Sequence, residues 1–380
     1  MTQIYLAHCG LSPLYSGSQE IMHQLIDIHA EKGDALFRDH YIQELDKAKS
    51  LLGQYLNTSA DNMALVKNTT EALSMVANGY PWEDGDEVIL YSQEYPANYY
   101  PWINLQQRGV KIRTLDNDNY FDGIPDDLPG HWNWEDLESK VSSRTRMIVM
   151  SHVQFVSGYA ADLEKLGGFC RERGIEFIID GAQSLGALPI DVKKYHISAL
   201  SGSGWKWLRG PMGIAPFFTS PELREKLALT VIGAETMEQG TDFLNHVWNP
   251  HKSARRYEYA TSPVYLVAGL NRVVEEVFLG GLDPVSLAAK LFHLQDHFLD
   301  RLEHPDFIPL KWPNASRSGI LSLYHPQPNT VEEYLRSMNI VTSARGGYLR
   351  VAAHYYNTKK EMEYLAEMVN EFHREDLTVL

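Results

Sequence analysis

The sequence predicts an α/β protein built on a parallel sheet, with a smaller α+β unit towards its C-terminal end. Three observations carry that expectation. Short, near-continuously apolar runs recur between about residues 64 and 220: EVILYS (87–92), VKIRTL (110–115), RMIVMSHV (146–153), IEFIID (175–180), ISALSG (197–202) and MGIAPFF (212–218). Helical patterns such as TEALSMVANGY (70–80) and DLEKLGGFCRERG (162–174) fall between several of them. After about residue 256 the texture changes to long amphipathic runs followed by short strand-like stretches.

Two helical stretches come first, at roughly 19–32 and 39–53. The six β-rich runs do not alternate apolar with polar residues, so they suit strands covered on both faces. Strand–helix alternation then implies parallel neighbours joined by right-handed crossovers. Beyond residue 256, the runs 264–279 and 284–303 read as long helices and 319–324 and 347–352 as strands; KKEMEYLAEMVNEFHRE reads as a closing helix. The implied organisation is an N-terminal segment (1–18) packing near the small domain, a large domain (19–255) and a small C-terminal domain (256–380).

The bulk numbers exclude several functions. A chain of 380 residues is too long for one simple core and suits two domains. Its net charge of −15 argues against nucleic acid and anionic membranes as partners, since both need a basic face. No apolar run approaches the roughly 18 residues of a membrane span. MTQIYLAHCG lacks the basic start and apolar stretch of a signal peptide. The two cysteines, Cys9 and Cys170, form no disulfide framework and no zinc pair. A reducing cytoplasm is the expected location.

Three places carry candidate chemistry. Asp180 ends the apolar run IEFIID, and the carboxyl ends of strands are where open α/β sheets bind ligands. The same aspartate could serve only as a cap for the turn that follows. Lys206 sits in SGSGWKWLRG between Trp205 and Trp207. A partly desolvated lysine becomes a nucleophilic amine able to form a Schiff base; an isolated one more often snorkels along an aromatic patch. Ser203 offers a hydroxyl beside it, and Gly202 and Gly204 would let a backbone approach a ligand closely. Thr69 and Thr70 open the helical pattern TTEAL as a cap, and helix N-termini bind phosphate. Together these are the parts that hold pyridoxal 5'-phosphate (PLP): an amine, a carboxylate for the pyridine nitrogen, and a hydroxyl-rich helix start. SGSGWK is not a phosphate loop of the Walker type, nor a nucleophile elbow. His293 and His297 lack the glutamate of a zinc helix, so no metal is expected.

The sequence resembles the class V aminotransferase family, which includes cysteine desulfurases, kynureninase and isopenicillin N epimerase-like proteins. FIIDGAQSLGALPIDV and SGSGWKWLRGPMGIAPFF carry the likeness, with NTTEAL, EYPANYYPW, SHVQFVSGYAADL, SARRYEYATS and GGYLRVAAHYYNT matching further motifs. The resemblance implies the type I fold of PLP-dependent transferases, with a mainly parallel seven-stranded sheet, and a homodimer. It implies that Lys206 forms the Schiff base and that Asp180 pairs with the pyridine nitrogen. Gln183 bonds the ring oxygen, together with Gln154. Thr69, Thr70 and Ser203 hold the phosphate, with Thr261 reaching it from a partner chain. Tyr95 stacks on the ring and Arg350 binds the substrate carboxylate. Trp205 and Tyr95 stand where the family often has histidine, and YAT replaces its usual Gly-Thr around Thr261.

The implied activity acts on an α-amino acid through loss of the Cα proton, with an aminotransferase-type outcome preferred. A cysteine or cystine Cβ–S lyase and an epimerase are the alternatives within the family. A phosphometabolite enzyme without PLP is the alternative outside it. No cysteine follows residue 170, which speaks against a persulfide-forming desulfurase.

Overall fold

The computed structural model describes residues 3–372. Thirteen strands are present among them: β1 (Ile4–Tyr5), β2 (Met63–Val66), β3 (Glu87–Tyr91), β4 (Lys111–Leu115), β5 (Thr145–Ser151), β6 (Glu176–Asp180), β7 (Ala199–Ser201), β8 (Ala215–Thr219), β9 (Ile308–Pro309), β10 (Leu321–Tyr324), β11 (Ile340–Val341), β12 (Ser343–Arg345) and β13 (Tyr348–Val351). The helices are α1 (Ser16–Lys32), α2 (Ile42–Tyr55), α3 (Thr69–Gly79), α4 (Tyr100–Ile103), α5 (Trp134–Lys140), α6 (Leu163–Arg173), α7 (Pro221–Lys226), α8 (Val264–Val273), α9 (Pro284–Leu299), α10 (Pro328–Ser337) and α11 (Lys359–Asn370). The last three residues of the expected closing helix, 373–375, lie outside the described residues.

The central sheet has seven strands in the order β2-β8-β7-β6-β5-β3-β4. Four of its pairings are parallel, linking β4, β3, β5, β6 and β7. The run MGIAPFF, grouped above with the parallel set, becomes β8 and pairs antiparallel with β7. The reason is the connection. Residues 202–214 form a tight turn rather than a crossover helix, so the chain comes straight back. β2, which the apolar runs did not single out, closes that edge antiparallel to β8.

Both faces are covered. Ile89, Ile148 and Ile179 pack with Leu25 of α1, Leu52 of α2, Phe169 of α6 and Leu270 of α8. Val88, Leu90, Val149 and Ile178 point the other way, onto Leu73 and Val76 of α3 and onto Trp102. This two-sided burial is why the inner strands read as unbroken apolar runs; β4, grouped with them from sequence, lies at the sheet edge and leaves Lys111 and Arg113 exposed.

A second, antiparallel sheet has the order β12-β13-β10-β9. Its core joins Leu323 and Leu349 to Phe298, Leu335 and Leu365 from the surrounding helices, and to Leu6. The N-terminal residues tie this part to the first. β1 pairs with β11, and Ala7 bridges Ala352. Further along, Ser12 N donates to Trp205 O (3.0 Å) and Tyr15 N to Arg209 O (3.0 Å).

The topology brings the candidate chemistry to one edge. β2, β3, β5, β6 and β7 all end there, because two antiparallel steps return β2 to the common direction. β8 starts there. The segments after Val66, Tyr91, Ser151, Asp180 and Ser201, and the turn before Ala215, therefore converge.

Candidate active site

At that edge lies a cavity of about 320 Å³, within the size range of small-molecule sites. Its wall contains Thr69, Thr70, Tyr95, Asp180, Gln183, Ser203 and Lys206, seven of the ten residues picked from the sequence. Asn68, Ser151, Phe155, Trp205 and Gly10 complete much of it.

Lys206 stands in the 202–214 turn, which is pinned at its base. Arg209 N donates to Lys206 O (2.9 Å) and Gly210 N to Gly204 O (2.8 Å). Arg209 takes a left-handed backbone (φ 55) and lies over the ring of Tyr356, 4.7 Å from its centroid. The lysine is not sandwiched between its neighbouring indoles. Trp207 is fully buried in the core, and its Nε1 donates to Gln183 Oε1 (3.0 Å). The ring facing Lys206 Nζ is Tyr95, at 5.5 Å. Gly202 and Gly204 serve packing rather than a ligand. A Cβ on Gly202 would meet Leu185 at 2.6 Å, and one on Gly204 the Ile214 carbonyl at 2.6 Å.

Burial, first of all, lowers the Lys206 amine below its ordinary pKa; Asp180 opposes that shift. Burial likewise raises the Asp180 carboxyl, against the Ala182 amide and the charge of Lys206. Asp180 Oδ1 accepts from Ala182 N (2.8 Å), so one oxygen does cap the following turn. That bond fixes the side chain with its second oxygen towards the cavity.

Thr69 is the first residue of α3, not its cap. Asn68 caps the helix, its Oδ1 accepting from Glu71 N (2.9 Å). Glu71 turns back to accept Lys67 N (2.7 Å). Asn68 thus releases Thr69 Oγ1, which is buried and has no hydrogen-bond partner. An orphaned hydroxyl at a helix N-terminus, facing a cavity, suits an anion.

Three picked residues lie elsewhere. Gln154 is outside the wall, and its amide holds a turn: Oε1 accepts from Val156 N and Ser157 N (both 2.6 Å), and Nε2 donates to Gln93 O (2.9 Å). One N–H of that amide remains, but the residue is not part of the cavity wall. Gln183 gives one N–H to Cys9 O (2.9 Å) and keeps the other. Arg350 stands at the rim, buried, donating to Phe155 O (2.6 Å) and to Ser343 Oγ, with Nε unpartnered. Thr261 is exposed and away from this cavity.

Glu94 escaped notice in the sequence. It is buried, accepts from Ser151 N (2.7 Å) and from Ser151 Oγ, and has its pKa pushed up to about 7, chiefly by burial and further by Asp180. Its only signal in the sequence is a charged residue just past a buried strand.

An amine, a carboxylate with one free oxygen, a stacking phenol and an orphaned hydroxyl at a helix start fit PLP. The fold and this cavity define a PLP-dependent enzyme of the type I fold. The chain belongs to the class V aminotransferase family, whose model matches residues 17–365. It is 27% identical over 329 residues to an uncharacterized protein of Schizosaccharomyces pombe, covering 84% of this chain and 73% of that one. It is 24% identical over 355 residues to a probable cysteine desulfurase of Methanothermobacter thermautotrophicus, covering 87% and 84%. Among solved structures it resembles the cystine C–S lyase C-DES in complex with its reaction product cysteine persulfide, with a TM-score of 0.87 and 20% identity over 97% of this chain and 98% of that one. It also resembles an apo cysteine desulfurase of Thermococcus onnurineus, with a TM-score of 0.84 and 21% identity over 97% and 94%.

Proposed function

We propose that this protein is a Cβ–S lyase acting on cystine or a related sulfur amino acid, in place of the aminotransferase outcome preferred from sequence. The observation that carries this reading is the state of its cysteines. Relatives along most of the chain are named as desulfurases, yet Cys9 and Cys170 are both buried. Burial also raises the Cys170 thiol far above its ordinary pKa. Neither is the exposed thiol that taking sulfur from a substrate requires. Sulfur therefore leaves with the departing half of the substrate.

When bound, PLP supplies an electron sink for the charge left on the substrate Cα. Lys206, its amine held below its ordinary pKa by burial, would be the nucleophilic amine and then the base for the Cα proton. Asp180 would pair with the pyridine nitrogen through its free oxygen. The free N–H of Gln183 would serve the ring oxygen, and Tyr95 would cover the ring face. Thr69, Thr70, Ser203 and the start of α3 hold the phosphate. Arg350 takes the α-carboxylate as a planar fork. Loss of the Cα proton and cleavage of the Cβ–S bond, followed by hydrolysis, convert cystine and water into cysteine persulfide, pyruvate and ammonia.

A homodimer fits Thr261, which is exposed and free to reach a second copy's cavity. It also fits the outward Phe243, Leu244, Val247 and Trp248 of one loop. Two unpaired cysteines suit a reducing cytoplasm.

Incubation with cystine tests the reading: pyruvate and persulfide sulfur should form together, and a C9A/C170A double variant should retain both. Amino transfer to a keto acid without sulfur release would overturn it.

A further inference from the structure

We propose that Arg345 binds a second, distal carboxylate of the substrate and so makes this a site for dicarboxylic sulfur amino acids. The inference rests on the C–S lyase reading and names the substrate class of that same site.

Arg345 and Arg350 belong to one hairpin, β12 and β13. Its register pairs Ser343 with Arg350 and Arg345 with Tyr348. Directly paired residues share a face, as do residues two apart on a strand. Both arginines therefore stand on the same face. Arg350 shows where that face looks, since it donates to the carbonyl of Phe155, part of the cavity wall. The turn beside Arg345 agrees: a Cβ on Gly346 would lie 2.9 Å from Val156 Cγ1, the residue after Phe155. Two residues of strand separate the two levels, roughly 7 Å along the hairpin. The amine of Lys206 feels both charges.

The two arginines differ in depth. Arg350 is buried and Arg345 exposed. Neither has an ion-pair partner among the described residues. The inner one suits the α-carboxylate, fixed close to the reacting carbon. The outer one suits a group at the far end of the side chain. Cystine carries such a carboxylate beyond its sulfurs, and free cysteine does not. In a chain of net charge −15, two uncompensated cations at one mouth make a local attraction for a dianion.

The test compares cystine with the mixed disulfide of cysteine and cysteamine, which lacks only the distal carboxylate. Two readouts are taken on the cofactor-loaded enzyme: half-saturation of the visible spectral change, and kcat/KM for pyruvate. Wild type should favour cystine roughly fivefold, the scale of a partly exposed ion pair. Arg345→Gln should erase the preference by weakening cystine alone, and Arg345→Lys should restore part of it. Equal handling of both disulfides by wild type, or an equal loss on both in Arg345→Gln, overturns the assignment and leaves the lyase reading intact. A spectral preference for cystine that Arg345→Gln removes, with no pyruvate from either compound, overturns the lyase reading and supports the arginine. No spectral response to either overturns both.

Discussion

Replacing Glu94 with glutamine should stabilise the cofactor-free protein at pH 8 and leave it nearly unchanged at pH 5. Glu94 is buried beside Asp180, with both oxygens on Ser151. Burial is the largest influence on its carboxyl; the Ser151 hydroxyl and amide oppose it, and the charge of Asp180 adds to it. The result is a pKa of about 7 against an ordinary 4.5. The folded protein thus holds a proton that the unfolded chain releases near 4.5. Between those values the folded state binds more protons, so stability falls as pH rises, and the penalty is complete above pH 7. At about 1.4 kcal/mol per pH unit the gap amounts to at most about 3.5 kcal/mol. Glutamine cannot ionise, keeps an acceptor for Ser151 N, and can donate to Ser151 Oγ, so it avoids the penalty. Denaturant unfolding of both proteins at pH 5, 6, 7 and 8 reads the difference directly. A stability difference that stays flat with pH would refute the reasoning, because it would mean that Glu94 titrates alike in both states.

Other expectations follow from the same cavity. Thr69→Val should stabilise the cofactor-free protein by about 1 kcal/mol, by removing an unsatisfied buried hydroxyl. It should also weaken PLP binding, on the order of tenfold; opposite signs in denaturation and cofactor titration are the check. Lys206→Ala should abolish covalent retention of the cofactor after borohydride reduction, seen as loss of the added mass on the protein. The C9A/C170A variant should keep sulfur release within about twofold, measured as pyruvate and persulfide formed together, since both thiols are buried.

What the sequence determined by itself is the inventory and its approximate place. Strands buried on both faces must be apolar throughout, so Asp180 stands out where IEFIID ends, and Lys206 stands out among glycines and tryptophans. Five of the seven central strands were legible for that reason; β4, at the sheet edge with Lys111 and Arg113 exposed, was legible without it. The same uniform burial hid what only the tertiary structure decided. An apolar run records that a strand is covered and says nothing about its direction, so the reversal at β8 waited for the turn that carries Lys206. Side-chain amides are ambiguous in a string of letters: Gln154 and Gln183 look equivalent, and packing folds the first into a turn outside the cavity wall while the second lines the cavity. Glu94 reads as an ordinary charge, and its raised pKa arises from desolvation by segments remote in sequence. The pairing of Arg345 with Arg350 on one face is a matter of hairpin register, which is set by the folded sheet and by the Gly346–Gly347 turn against Val156.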